Sequence, residues 1–349
     1  VKVLVTGARG MLGSAVATAL DARGDEVTLL QRGSTGLAMR EVLGDVTDSR
    51  VVTQACAGMD AVIHLAAKVS VVGEWSEFER VNVFGTQQLI AAARSSGVSR
   101  FVHVSSPSVA HAGEPLVGVD AEPADPDHAQ GHYARSKAMA EVLALRSGAP
   151  GFDVVAVRPH LVWGQGDTQL VGRIVQRASD GRLVLIDGGT ALIDSTYVDN
   201  AADALIAALD RAPAVSGEAF VVSNGEPRTV AELLTRICRA VGAPAPTRSV
   251  PASVATIAGR AVEGAWSRLG REDEPPMTRF LAEQLSTAHW FDQRRTRQLL
   301  QWTPRVTLDA GFERLAHFVR PASSGEHAGL GSFTVARTTR NDPKPGGSG

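Results

Sequence analysis

Along the first 160 residues, short runs of apolar and β-branched residues alternate with longer stretches whose apolar positions recur every three or four residues. The short runs are "VKVLVTG" (1–7), "DEVTLL" (25–30), "DAVIHLAA" (60–67), "RFVHVSS" (100–106) and "FDVVAVRP" (152–159). Stretches between them, such as "MLGSAVATALDARG" and "FERVNVFGTQQLIAAARSSG", end in glycine, a helix stop signal. Continuously apolar strands separated by helices imply a parallel sheet covered on both faces. The expected fold is therefore α/β, a doubly wound parallel sheet over residues 1–160.

Beyond residue 160 the alternation loosens. Helical spacing recurs at 168–180, 199–211, 229–241, 252–270 and 307–319, with strands expected near 193–198 and 218–223. This pattern predicts a smaller, mostly helical substrate-binding region over 161–320, discontinuous because the strands near 193–223 return to the first domain. Residues 321–349, rich in glycine, serine and charge, are expected to be a disordered tail.

Composition narrows the class. The 349 residues are 44% hydrophobic and 21% charged with a net charge of −2, an ordinary globular balance without the basic footprint of a nucleic-acid or anionic-membrane binder. Cys56 and Cys238 lie far apart without metal-ligand spacing and read as buried thiols in a reducing compartment. No leader pattern opens the chain, and no run reaches the roughly 18 apolar residues of a membrane span, so a cytoplasmic protein is expected.

The first strand runs into "TGARGMLG", a glycine triplet at a strand-to-helix turn, the signature of a Rossmann dinucleotide site. Glycine lets the backbone approach a pyrophosphate, and the helix N-terminus faces its charge. The expected cofactor contacts here are Gly7, Arg9, Gly10, Met11, Leu12 and Gly13. The second strand ends "LLQRG", with Gln31 and Arg32 where a carboxylate would accept ribose hydroxyls. Arg32, with Arg9 from the glycine loop, suits a 2′-phosphate, so NADP is expected over NAD. Asp45, followed by Val46 in "GDVTD", either meets the adenine amino group or caps the next helix.

Only two tyrosines occur, and one of them, Tyr133, stands four residues before Lys137, which places both on one helix face. A phenol titrates near pH 10, and a neighbouring ammonium favours its ionised form. A hydroxyl from "VHVSSPSV" would hydrogen-bond the substrate oxygen; Ser106 is the expected one, with Ser105 and Ser108 as alternatives. His64, His103, His111, His132 and His160 lie near strand ends, but their spacing fits no metal pattern, and no metal is expected. His160 is a candidate to face substrate; Trp75, Trp163 and Tyr197 line a pocket or simply pack.

Together, "TGARGMLG", "GDVTD", "HLAA", "RVNVFGT", "VSSPSV", "YARSK", "VRPHLVWGQGD" and "TYVDNAADA" resemble the extended short-chain dehydrogenase/reductases, over roughly residues 1–320. The resemblance implies that Tyr133 is the acid/base, that Ser106 orients the carbonyl or hydroxyl, and that Lys137 lowers the tyrosine pKa and binds the nicotinamide ribose. It implies further that Ala66 and Ala67 line the cofactor, that the backbone from Pro159 to Leu161 faces the nicotinamide amide, and that Asn82 is structural. "SVAHAG" replaces the "VYG"-like turn of sugar-nucleotide epimerases, and "PPMTR" with "WFDQRRTRQLLQWTPRVTLDAGFERL" resembles the 3β-hydroxysteroid dehydrogenase branch. That branch implies a ketone or secondary alcohol on a bulky apolar body, such as a 3-oxosteroid or a long 2-alkyl-3-oxoacyl compound. It also implies a homodimer through helices near 76–96 and 132–147.

Within 251–270, Val254, Ile257, Ala258, Ala261, Val262, Ala265 and Leu269 follow helical spacing. This segment is either an apolar lid or membrane-surface contact, or an ordinary core helix. Two rival functions stand beside the reductase: a sugar-nucleotide epimerase or dehydratase with tightly held NAD, and a non-catalytic nucleotide sensor.

Overall fold

Four of the five residues of β1 (Lys2–Thr6) are buried, as a strand paired on both edges and covered on both faces requires. Val3 and Val5 point into the layer of α1 (Met11–Arg23), and Leu4 points into the opposite layer. The computed structural model describes residues 1–70, 72–110, 115–268 and 285–319. The chain continues through β2 (Glu26–Gln31), β3 (Arg40–Leu43), α2 (Ser49–Cys56), β4 (Ala61–His64) and α3 (Trp75–Phe78). A π-helical stretch, Glu79–Phe84, then leads into α4 (Gly85–Ser95), β5 (Arg100–Val104), β6 (Leu116–Val119), α5 (Gly131–Arg146) and β7 (Asp153–Pro159). The helix stops are those read from the glycines: Gly24 closes α1 in the left-handed conformation, where a side chain would be strained.

The second half contributes β8 (Val162–Trp163), α6 (Leu170–Ser179), β9 (Leu185–Ile186), β10 (Leu192–Ile193), β11 (Thr196–Tyr197), α7 (Val198–Arg211) and β12 (Ala219–Val222). After these come β13 (Arg228–Thr229), α8 (Val230–Val241), β14 (Ser249–Val250), α9 (Ala252–Arg268), β15 (His289–Phe291) and two helices, Arg294–Leu300 and Leu308–Val319. The central sheet has seven strands in the order β12-β7-β5-β4-β1-β2-β3, and every pairing in it is parallel. Strand order reverses between β1 and β4, and ligands of such sheets bind in the crevice at that switch.

Three features differ from the sequence expectation. The strand expected over 193–198 is two short strands, and neither joins the central sheet: β10 pairs with β13 and β15, and β11 with β8. Only β12 returns to it, beside β7. Helix α7, numbered within the expected substrate region, packs its Ala202, Leu205 and Leu209 into the core shared with β1 and α1. In α9, Ala255 is buried while Val254 and Ile257 are 53% and 68% exposed. Ala255 and Gly259 face inward there while Val254 and Ile257 face outward, so the larger apolar side chains are not the buried ones. Leu269 and the expected tail over 321–349 lie outside the described residues. Among the described residues, no helix is long and apolar enough to cross a membrane.

A buried ion pair locks α5 onto the sheet. Arg158 of β7 donates through Nε and Nη2 to both oxygens of Glu141 at 2.9 and 2.5 Å, and through Nη1 to the Glu122 carbonyl at 2.7 Å. Both partners are 1% exposed, so removing one leaves an uncompensated charge in the core. Glu141→Ala is expected to cost about 3–5 kcal/mol of stability in urea unfolding. A Glu141→Leu/Arg158→Met double variant should recover most of it.

Candidate active site

The glycine loop crosses the switch point with little clearance. Gly7 has φ +79°, and a Cβ there would sit 2.9 Å from the Ala66 amide nitrogen; one on Gly13 would sit 2.4 Å from the Gly7 carbonyl oxygen. These two positions bring β1, α1 and the segment after β4 closer than side chains permit. Gly10 differs: a Cβ there would meet only the Gly7 carbonyl oxygen, at 3.5 Å, so its outer side is open. As the N-cap of α1 it brings no side chain to the first-turn N–H groups. The cradle therefore fits a pyrophosphate, with Met11 and Leu12 opening the helix. Arg9 lies against the end of β2, its Nη1 3.1 Å from where a Gly33 Cβ would be.

Asp45 does not cap α2; Asp48 does, accepting from the amides of Arg50 and Val51. Asp45 instead accepts the Thr47 amide and hydroxyl, both at 2.9 Å. Burial raises its pKa, but those hydrogen bonds, with Arg80 and Arg32 nearby, outweigh it and lower the net value. Val46 is buried against Gly85.

Of the three serines, Ser106 is the one whose hydroxyl acts on the Tyr133 phenol. Ser108 Oγ lies 2.9 Å from Ser106 Oγ, and Ser105 turns its hydroxyl into the core. Burial pushes the Tyr133 phenol up to about 12, with the Ser106 bond opposing. Lys137, 3% exposed, donates from Nζ to the Val104 carbonyl at 2.6 Å and stands 3.5 Å from His103 Nε2. Burial lowers its pKa to about 8, while Glu141 acts in the other direction. The expected lowering of the phenol pKa by Lys137 is thus not the governing effect in this geometry: desolvation dominates, and the ammonium is bonded to the β5 backbone.

Beneath these groups runs a polar belt without a sequence motif. Thr6, His64 and His103 stand level on adjacent strands β1, β4 and β5. Thr6 Oγ1 accepts the Leu65 and Ala66 amides at 3.1 and 3.0 Å and lies 2.8 Å from His64 Nδ1. Thr86 donates its hydroxyl proton to the Asn82 carbonyl, so His64 Nε2 is the donor to Thr86 Oγ1, and Thr6 donates to Nδ1. That pattern requires a neutral ring, and burial, then Lys137, lowers the His64 pKa to about 3. His103 is lowered in the same direction by burial, Lys137 and His64. Asn82, on the π-helical stretch, clamps Lys68 through its amide and carbonyl and donates to Ser136 Oγ, which donates to the Tyr133 carbonyl. One side chain thereby ties the segment carrying Ala66 and Ala67 to the helix of Tyr133.

At the end of β7, Pro159, His160 and Leu161 form a turn pinned by Thr196, whose hydroxyl donates to the His160 carbonyl at 2.6 Å and whose amide donates to Leu161 at 3.2 Å. Leu161 has φ +43°, a left-handed conformation costly for a branched side chain and typical of functional turns. The His160 ring packs edge-on against Phe291, 5.0 Å between centroids. Trp163 and Tyr197 are core residues, with Trp163 stacked on Phe312 at 4.6 Å. Trp75 is half-buried under the Arg135 guanidinium. His111 lies outside the described residues.

Residues 3–223 match the NAD dependent epimerase/dehydratase family. The 2-alkyl-3-oxoalkanoate reductase of Stenotrophomonas maltophilia is 40% identical over 324 residues, covering 90% of this chain and 98% of that protein. The 3-beta-hydroxysteroid dehydrogenase of Mycolicibacterium neoaurum is 28% identical, with 88% of each chain covered. Among solved structures, MoeE5 in complex with UDP-glucose and NAD superposes with a TM-score of 0.70 at 24% identity, covering 91% of this chain and 98% of that one.

The belt makes stability pH-dependent with a definite sign. His64 and His103 have folded pKa values below the unfolded value near 6.5. The unfolded chain therefore binds more protons, and stability present above pH about 6.5 is lost as pH falls below it. Between pH 6 and 4.5, a His103→Gln variant is expected to take up one proton fewer on unfolding than the wild type. Urea unfolding across that range measures it, and an unchanged slope would refute a neutral buried His103.

Proposed function

Because the chain belongs to the NAD dependent epimerase/dehydratase family, and its relatives are reductases and dehydrogenases, we propose that it is an NADP(H)-dependent ketone reductase acting on a bulky apolar substrate. The observation that carries this reading is the placing of Tyr133 and Lys137 on one face of α5, with Lys137 anchored on the Val104 carbonyl two residues before Ser106. A phenol so placed carries its proton at neutral pH and is an acid ready for a ketone oxygen. When bound, the reduced nicotinamide supplies the hydride. Ser106 donates to the substrate oxygen and orients it, and Tyr133 delivers the proton as the alkoxide develops. Lys137 keeps a positive charge behind Tyr133, anchored on the Val104 carbonyl, and is the residue proposed to hold the nicotinamide ribose. The left-handed turn at Leu161, with Pro159, is proposed to meet the nicotinamide amide, and Ala66 and Ala67 to line the cofactor. Gly7, Gly10, Met11, Leu12 and Gly13 would cradle the pyrophosphate. Asp45 and Val46 would border the adenine, and Arg9 with Arg32 would receive the 2′-phosphate.

The proposed substrate class, a long 2-alkyl-3-oxoalkanoate or a compound of like shape, is supported by the likeness to the 40%-identical 2-alkyl-3-oxoalkanoate reductase. The outward Val254 and Ile257 of α9 suit such a body. A groove of about 670 Å³ between α4 and α5, lined by Ile90, Met139, Val142 and Leu143, supports a homodimer through that face, and a cytoplasmic location fits this reading.

The wild type should oxidise NADPH with long 2-alkyl-3-oxo compounds or 3-oxosteroids. Tyr133→Phe should lower kcat by at least about 100-fold, with NADPH affinity nearly unchanged. Turnover of UDP-sugars without added cofactor would replace this reading with the epimerase. Full activity in Tyr133→Phe would remove the mechanism. Sedimentation should give a dimer that Val142→Glu dissociates.

A further inference from the structure

The loop leaving β2 is held by a carboxylate that no motif marks. Its sequence, "RGSTGL" (32–37), has two glycines, a serine and a threonine, a composition costly to order and poor in anchoring side chains. Glu41, on edge strand β3, reaches back across it. One oxygen, Oε1, accepts the Thr35 amide at 2.7 Å, the Thr35 hydroxyl at 2.5 Å and Gln31 Nε2 at 3.0 Å. Gln31 is the buried last residue of β2, so a single carboxylate fastens both the strand end and the middle of the loop. The Thr35 hydroxyl also accepts the Leu37 amide at 3.0 Å, which carries the fixation one step further.

Arg32, Gly33 and Ser34 are thereby left as a short bracket between two fixed points. Arg9, from the glycine loop, packs on this bracket at Gly33, where a side chain would press on its guanidinium. Two arginines from separate loops share one short piece of backbone at the carboxyl end of β2. Bidentate binding of a phosphate needs such guanidinium groups held still, because an unanchored loop must be ordered at the expense of binding.

We propose that Glu41 is a positioning residue for cofactor choice: by fastening the Arg32–Ser34 bracket against Arg9, it holds the seat of the 2′-phosphate of NADP(H). This rests on the NADP(H) reading above. Glu41 Oε1 is turned to two donors of Thr35 in the loop and one of Gln31 at the strand end. The hydrogen bonds from Thr35, then those from Ser34 and Gln31, keep its carboxyl below the usual range and so ionised at neutral pH.

The test is titration of the full chain with NADPH and NADH, followed by protein fluorescence, for wild type, Glu41→Ala, Glu41→Gln and Thr35→Val. Glu41→Ala is expected to weaken NADPH about 10-fold, the scale of one charged hydrogen-bonded anchor, and to leave NADH within about 2-fold. Glu41→Gln, which keeps an acceptor oxygen, should recover most of the loss, and Thr35→Val should fall between. Equal weakening of both cofactors would overturn the proposal by making Glu41 a general structural support. Tighter NADPH binding in Glu41→Ala would overturn it by showing repulsion. A wild type that binds NADH as tightly as NADPH fails the cofactor reading itself, before any variant is compared.

Discussion

The hydrogen bond from Lys137 Nζ to the Val104 carbonyl, 2.6 Å long and out of solvent, is the constraint around which the site is arranged. A buried ammonium needs acceptors, and the one it takes is the last carbonyl of β5, two residues before Ser106. That bond holds α5 against the end of β5, beside the turn that carries Ser106. Glu141, one turn further along α5, repeats the device against Arg158 of β7. The helix that carries Tyr133 is thus riveted by two charged contacts to two neighbouring strands, and helix propensity alone could not fix its position.

The belt of Thr6, His64 and His103 extends the same logic across the sheet. Parallel strands place these residues level, and each polar atom in so dry a layer must find a partner or remain neutral. His64 satisfies both nitrogens between two threonines, and in doing so ties β1, β4 and α4 together. Asn82 extends the tie to α5. The π-helical stretch that carries Asn82 fits the general association of such bulges with functional sites. The geometry of the crevice is held by neutral and charged polar contacts beneath it, while the apolar layers supply the stability.

Much of this was legible in the chain. Continuous apolar runs announced the parallel strands, and terminal glycines marked helix ends such as Gly24. The glycine triplet marked the cofactor crevice, since Gly7 and Gly13 leave no room for Cβ atoms. Tyr133 and Lys137 were paired by helical spacing alone. Harder to read were short strands such as β10 and β11, where two residues carry no periodicity. The inward face of α9 was also hidden, because alanine and glycine give no hydrophobic signal strong enough to outvote Val254 and Ile257.

The local pattern determined what most segments would become and which side chains were candidates for proton transfer. Tertiary structure decided which of them would meet. Only strand order brings Thr6, His64 and His103 into line, from positions 58 and 39 residues apart. Only packing turns the Ser105 hydroxyl into the core and leaves Ser106 to act on Tyr133. Packing also sets the proton equilibria: in water a lysine four residues from a tyrosine would favour the phenolate, but burial raises the phenol and lowers the ammonium instead. Desolvation depends on what the whole fold excludes, and no spacing along the chain records it.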